Sequence, residues 1–256
     1  MAPEVPPVYR LPFQIATHEV DACNHWHLHA LTQRLQEAAG QHAQRLGYGY
    51  GAMPQQGVFW VMVELALQLH RLPGWTEAGQ VHTWIVDHGV LRGRRDLEIR
   101  STTGNLWVQA ATVWALLDAR THRPLRLNTV ARSDLPRFPE RTVLDLPRFR
   151  WDPEGPPDHE QADTVRWTDV DLQGHLNNTQ HLRLAVDHLP PNWLLAHRPV
   201  FVHVRFLREA RVGDPLQIRL WMSDDRTFHE ILRTSDGQPL ARIQITWTQE
   251  ESPCIP

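Results

Sequence analysis

The chain has 256 residues, 41% of them hydrophobic and 21% charged, which is the composition of a soluble globular protein with room for one large domain or two small ones. Its formal net charge of -3 makes the whole molecule no polyanion binder, so nucleic acid is not an expected partner. Two cysteines, Cys23 and Cys254, are too few for a disulfide framework. The first residues lack the basic-then-apolar pattern of a signal peptide. No apolar run reaches the ~18 residues that cross a bilayer. The expected compartment is therefore cytoplasmic. All 26 basic residues are Arg, so every basic contact is a forked, permanently charged guanidinium.

In chain order, Tyr9–Glu19 reads as a first strand. Leu31, Leu35, Ala38, Ala39, His42 and Leu46 then recur at helical spacing, with Gly47 as a stop. Strand-type segments follow at Phe59–Leu69, Gln80–Val86, Arg94–Ser101 and Trp107–Leu117, with Thr103-Gly104 as a hairpin turn. The Pro-rich, charged stretch Arg137–Asp163 reads as a linker. After it the order repeats. A strand is expected at Thr164–Thr168. A helix capped by Asn177 or Asn178 carries Leu182, Val186 and Leu189 on one face and ends at Pro190-Pro191. Strands are expected at Val200–Leu207, Leu216–Met222, Phe228–Thr234 and Leu240–Thr248, with a turn at Asp236-Gly237.

The repetition extends to single residues. Glu19-Val20-Asp21 with His25 is echoed by Asp169-Val170-Asp171 with His175. Arg100, Gly104 and Trp114 are echoed by Arg233, Gly237 and Trp247. Two matches in the same order indicate a duplicated unit of just over a hundred residues. One strand, one helix and a run of strands is α+β logic: the helix buries its stripe on the antiparallel sheet. Two copies predict a tandem (double) hotdog, two long helices each wrapped by antiparallel sheet and joined edge to edge. The expected units are an N-terminal hotdog (1–136), a linker (137–163) and a C-terminal hotdog (164–256). Such a chain mimics a dimer internally. A true homodimer is compatible with it but not required.

Asp171 and His175 lie four apart in the loop before a helix start. That start offers free backbone N–H groups and about half a positive charge. A carbonyl resting there would be polarised, and a tetrahedral oxyanion formed from it stabilised more. The acid and imidazole beside it would position water and move protons. The plainer alternative is that Asp171 caps the loop and His175 is a packed polar residue. An Asp and a His at this spacing alone do not decide between them.

The surrounding string, D-V-D-L-Q-G-H-L-N-N, closely resembles the signature loop of the plant and bacterial acyl-ACP thioesterases, D-x-D-x-N-x-H-x-N-N. L-Q-E-A-A-G-Q-H-A at Leu35–Ala43, R-L-P-G-W at Arg71–Trp75, G-R-R-D at Gly93–Asp96 and the Trp114–Arg126 segment look like family landmarks too. So does F-L-R-E at Phe206–Glu209. The resemblance implies hydrolysis of fatty acyl-ACP to free fatty acid and carrier protein, with no cofactor and no metal. Residue by residue, it implies catalytic roles for Asp171, His175 and Glu209. Gln173 stands where the family has Asn. Ala210 stands where plant members often carry Cys, which favours direct attack by water. The implied site has Glu209 and Gln173 holding a water, Asp171 orienting His175 or assisting as base, and the helix start at Asn177 and Asn178 receiving the oxyanion. Which carboxylate is the base stays open.

The first copy is expected to shape the acyl pocket, with Trp60, Met62 and Trp114 as side chains able to block it. Each buried methylene contributes about 0.8 kcal/mol, so pocket depth sets chain preference steeply. Asp21 and His25 repeat the spacing without a partner for Glu209. His25, His27 and His29 would share one face only on a strand, and Cys23 is expected to be a buried, inert thiol. The acyl carrier protein is acidic, so its docking patch is expected among Arg92, Arg94, Arg95, Arg120, Arg123, Arg126 and Arg132. The alternatives are an acyl-CoA thioesterase, a hotdog hydratase and a non-catalytic acyl-binding protein.

Overall fold

The computed structural model describes residues 6–130 and 135–250. Strand β1 (Tyr9–Gln14) leads through a single 3-10 turn (Thr17–Glu19) to helix α1 (Leu28–Arg45). Strands β2 (Val58–Leu69), β3 (Ala78–His88), β4 (Arg92–Ser101) and β5 (Leu106–Asp118) follow, with a two-residue strand β6 (Pro124–Leu125) folded back on β5. The second half repeats the plan. It contains β7 (His159–Thr164), a 3-10 turn (Trp167–Asp169), α2 (Asn178–Asp187), α3 (Pro191–Ala196), β8 (His197–Phe206), β9 (Pro215–Met222), β10 (Arg226–Arg233) and β11 (Gln238–Gln249).

The local reasons are visible in the residues. In α1, Leu28, Leu31, Leu35, Ala38, Ala39 and His42 are buried along one stripe. The helix stops where Gly47 takes a φ of 85°, a conformation that Gly adopts without strain. The Asn177 side chain accepts the Thr179 N–H and caps α2. Pro190-Pro191 ends that helix as expected, but Pro191 then opens α3, because a first-turn position needs no N–H. The second helix is thus ten residues long against eighteen in the first.

Among the described residues, ten strands form one continuous antiparallel sheet in the order β1-β3-β4-β5-β2-β8-β11-β10-β9-β7, with β6 attached to β5. The two halves meet through β2 and β8, from Glu64 opposite Arg205 to Gln68 opposite Phe201. That joint pairs two strand edges that would otherwise be open. Helices α1 and α2 pack against each other, and one apolar core runs through both halves, from Leu31, Leu67 and Ile99 to Leu182, Val204 and Ile243. This is the expected double hotdog.

Three expectations change. The first strand ends at Gln14, not Glu19, and Thr17–Glu19 is a 3-10 turn. The second copy's first strand is His159–Thr164, not Thr164–Thr168, and Trp167–Asp169 is a 3-10 turn. The second unit therefore starts inside the expected linker. Strand β7 is an exposed edge almost throughout, so it has no apolar alternation to mark it. The rest of the linker packs on the outer face of the sheet. Phe149 meets His203 edge-on, Trp151 meets Trp221 and Phe228, and the Val143 N–H donates to Asp96. Among the described residues, no helix is long and apolar enough to cross a membrane.

Candidate active site

The site begins with a tight loop. The Asp171 N–H donates to the His175 carbonyl at 2.9 Å. Oδ1 of Asp171 accepts from the backbone N–H of Gln173 at 2.8 Å and of His175 at 3.3 Å. Gly174 supplies the left-handed turn residue, with φ at 76°. The Asp171 carboxylate thus holds the loop through its backbone, and it makes no hydrogen bond or ion pair with the His175 ring. The capping role and the placement of His175 are two consequences of one turn.

The loop is then tied to the segment after β8. The Leu176 N–H donates to the Ala210 carbonyl, and His175 forms a β-bridge with Arg211. This brings His175 Nε2 within 3.1 Å of Glu209 Oε2. The pair is in ion-pair range, yet the ring is turned so that Nε2 makes no aligned hydrogen bond. The same Glu209 oxygen lies 3.7 Å from Nδ1 of His122. His122 sits with a φ of 54° in the turn between β5 and β6, so the first half contributes an imidazole to the cluster. Arg233 fixes the Glu209 backbone by donating to its carbonyl at 3.0 Å, and Asp214 and Asp236 hold Arg233 in turn.

His181 is a second residue that the sequence reading passed over. It is 3% exposed, with Nδ1 3.3 Å from the Asn177 carbonyl and its ring edge-on to Phe206. Burial pushes its pKa down to about 4, against the opposing pull of the Asn177 and Asn178 backbone. The ring is therefore neutral near pH 7, and its buried Nε2 has no partner among the described residues. The only sequence signal was its place one helical turn after Asn177, which a lone histidine does not make specific.

One cavity of about 670 Å³ joins these groups, a size typical of small-molecule sites. Asp171, Gln173, His175, Asn178, His181 and Glu209 all line it. Its remaining wall comes largely from the first half, where Gly40 and Ala43 of α1 face Trp60, Met62 and Trp114. Asn177 stands just outside, because its side chain is spent on capping α2. The Gln173 carboxamide makes no hydrogen bond among the described residues, while its backbone holds the loop.

The arginines separate by location. Arg92, Arg120, Arg123 and Arg126 are exposed, and Arg132 lies outside the described residues. Arg94 is committed to Asp96 through two hydrogen bonds and to the Leu144 carbonyl. Arg95 is buried at 8% exposure, so it corrects the expected docking patch: neighbours on a strand point to opposite faces, and one of the two had to turn inward. Arg208 and Arg211, absent from that expectation, are exposed and line the cavity mouth. Leu172, Leu207 and Val212 are exposed nearby in sequence.

The first-copy loop lacks this constellation. His25 approaches Asp21 at 3.9 Å and Glu250 at 3.7 Å. His27 precedes α1 and stacks on His29, so the three imidazoles do not share a strand face. Asp21, Cys23 and His25 do gather within 4.8 Å, but Cys23 is disulfide-bonded and only half-buried. The expected buried inert thiol is corrected, and Cys23 offers no free thiolate as ligand or nucleophile. Cys254 lies outside the described residues.

Residues 6–133 match the acyl-ACP thioesterase N-terminal domain, and residues 157–249 match the acyl-ACP thioesterase C-terminal domain. The chain belongs to the acyl-ACP thioesterase family. Within it, this thioesterase-family chain is 24% identical over 265 residues to the chloroplastic palmitoyl-acyl carrier protein thioesterase of Cuphea hookeriana, covering 94% of this chain and 62% of that protein. It is 23% identical over 257 residues to the chloroplastic dodecanoyl-[acyl-carrier-protein] hydrolase of Cinnamomum camphora, covering 94% and 67%. The chain thus spans less than two thirds of the length of the Cuphea relative. Its fold superposes on an acyl-ACP thioesterase from Bacteroides thetaiotaomicron with a TM-score of 0.84 at 22% identity, covering 94% and 98% of the two chains. The 12:0-ACP thioesterase from Umbellularia californica gives 0.82 at 20% identity, covering 96% and 98%.

Proposed function

We infer that the protein hydrolyses the thioester of a fatty acyl chain on acyl carrier protein, releasing free fatty acid and carrier. The observation that carries this is the contact between His175 and Glu209, placed on a deep, mostly apolar cavity beside the start of α2. Glu209 takes a proton from water, and the water oxygen attacks the thioester carbonyl carbon. The Gln173 carboxamide supplies a hydrogen bond that holds this water. The oxyanion forms at the first turn of α2, against the Asn178 N–H, which has no intrahelical partner. Collapse of the intermediate breaks the C–S bond. His175 relays the proton from Glu209 to the departing thiolate. Asp171 sets the loop and adds its charge to the cavity wall. Ala210 offers no thiol, which favours direct attack by water over an acyl-enzyme.

The carrier is acidic, and Arg208 and Arg211 at the cavity mouth fit it, with Arg120 and Arg123 of the first half as further contacts. The reaction belongs in the compartment that holds the soluble carrier, here expected to be cytoplasmic. A thiol-release assay with matched acyl-ACP and acyl-CoA substrates tests the reading. Turnover of acyl-ACP that collapses in Glu209→Gln is the expected result. Equal rates in the variant would remove Glu209 as base, and preference for acyl-CoA would replace the carrier.

A further inference from the structure

Arg95 lies beneath α1, on the inner face of β4. Its Nη1 donates to His42 Nδ1 at 2.9 Å and to Thr83 Oγ1 at 3.0 Å. Neither partner is an anion. Burial first, and the Arg95 charge second, push His42 down to about 3, so that ring stays neutral. Among the described residues, no carboxylate pairs with Arg95. Its neighbour Arg94 takes the Asp96 carboxylate instead. Buried guanidinium groups are ordinarily paired, because an uncompensated charge in low dielectric is costly. This one forms part of the cavity wall.

Gln36 of α1 also lines the cavity, and its Oε1 is buried with no partner among the described residues. An amide oxygen accepts only, so a ligand hydroxyl would meet it and a carboxylate would not. Plain hydrocarbon offers Arg95 no counter-charge.

The sheet register sets how far this polar wall is from the chemistry. Arg95 pairs with Thr112, Thr112 with Leu65, and Leu65 with Val204. Arg95 is therefore three strands away from β8, the strand that leads to Glu209. At about 4.8 Å per strand, that is ~14 Å across the curved sheet to Val204, and Glu209 lies five residues further along the chain. A thioester held at Glu209 would bring the distal part of its acyl chain toward Arg95, not its carbonyl.

We propose that this end of the cavity receives an oxygen function carried on the distal part of the acyl chain, with a carboxylate as the best match to the Arg95 guanidinium. A hydroxyl or keto oxygen fits the same donors more weakly, because hydrogen bonds between charged partners are about twice as strong as neutral ones. The proposal rests on the acyl-thioester reading for its substrate, but its test does not need turnover.

Calorimetric titration of the full chain with free acids is that test. Over a series of chain lengths, α,ω-dicarboxylic acids are compared with monocarboxylic and ω-hydroxy acids of matched length. At the length that spans the cavity, the diacid is expected to bind at least about tenfold tighter than the monoacid, with the hydroxy acid between them. Arg95→Met should bring diacid and monoacid within about twofold. Arg95→Lys, which keeps the charge but loses the fork, should retain a smaller preference and stands in if Arg95→Met does not fold. Tighter monoacid binding at every length, or a ratio unchanged in either variant, overturns the proposal. Thiol release from plain acyl-ACP with no diacid preference in binding also overturns it, while leaving the hydrolase reading intact. Diacid preference without thiol release from any thioester supports the pocket assignment and overturns the hydrolase reading.

Discussion

The two strand-to-helix loops are built alike and end differently. In both, an aspartate Oδ1 accepts two backbone N–H groups, from Cys23 and His25 in the first copy and from Gln173 and His175 in the second. In both, an acid just upstream caps a 3-10 turn and pairs with an arginine on the helix: Glu19 with Arg34, and Asp169 with Arg183. A left-handed residue closes each turn, Asn24 in one and Gly174 in the other. The strands that follow match too. The N–H groups of His70 and Arg71 share the Trp107 carbonyl, as those of Leu207 and Arg208 share that of Leu240. Trp26 donates to Pro73 as Leu176 donates to Ala210. Leu72 therefore stands where Glu209 stands. The aspartate-to-histidine spacing encodes a loop, and the residue facing that loop differs, Glu209 against His175 in the second copy and Leu72 in the first.

The largest expected effect breaks this comparison at its one decisive position. Glu209→Gln should lower kcat/KM for acyl-ACP by at least ~100-fold, and Glu209→Leu, which imports the first-copy residue, by no less. Thiol release on folded protein measures both. If Glu209→Leu keeps near-normal turnover, the contrast with Leu72 carries no chemistry.

The aspartates sharpen it next. Asp171→Asn should cost at least ~100-fold in rate, whereas Asp21→Asn, remote from the cavity, should stay within about twofold because exposed positions away from such features are nearly neutral. Equal losses in the two variants would mean that both aspartates act only through folding.

The upstream acids are a smaller effect and should be symmetric. Glu19→Ala and Asp169→Ala each remove a carboxylate that caps a backbone N–H and pairs with arginine, so each should lower stability by about 1–3 kcal/mol, read as a falling Tm. For Glu19 the effect depends on pH. Burial alone would raise its pKa, but Arg34 and the Ala16 N–H outweigh burial and lower it below 4.5. Its contribution is therefore present above pH 4.5 and is lost as pH falls through the lowered folded value. In Glu19→Gln that acid-side loss should disappear.

The smallest effect at neutral pH comes from buried imidazoles. Burial pushes His181 down to about 4 and His229 to about 3. Each is depressed below an ordinary value of 6.5, so the unfolded chain binds protons that the folded chain does not. Stability is full above pH 6.5 and declines as pH falls toward 4 and then 3. A His181→Gln variant should flatten the upper part of that decline in Tm against pH. An unchanged slope would mean the ring already titrates normally.

Much of this was legible in the chain. The α1 stripe from Leu31 to Leu46, the Asn177 cap and the strands that follow each helix lie within a few residues of expectation, because periodicity and caps are local signals. The Asp171, Gln173, His175 and Glu209 set was reachable through the resemblance, and the structure brings all four to one cavity. What stayed hidden was not local. Strand β7 is polar and exposed, and it exists because β9 offers an edge. His122 joins the site only through the meeting of two halves, and His181 only through the packing of α2 against Phe206. The opposite fates of Arg94 and Arg95 follow from strand alternation, which a count of basic residues overlooks.

The joint between β2 and β8 has one more consequence. It lies between the half that supplies most of the cavity wall and the half that supplies Glu209 and His175, and it is made of backbone hydrogen bonds. Side-chain changes on the far side of that ladder leave the ladder itself intact. The size and lining of the cavity can therefore drift by substitutions at positions such as Gly40, Met62 or Arg95 while the contact between His175 and Glu209 stays aligned. A lineage built on this chassis can remodel its cavity without having to rebuild the loop that faces it.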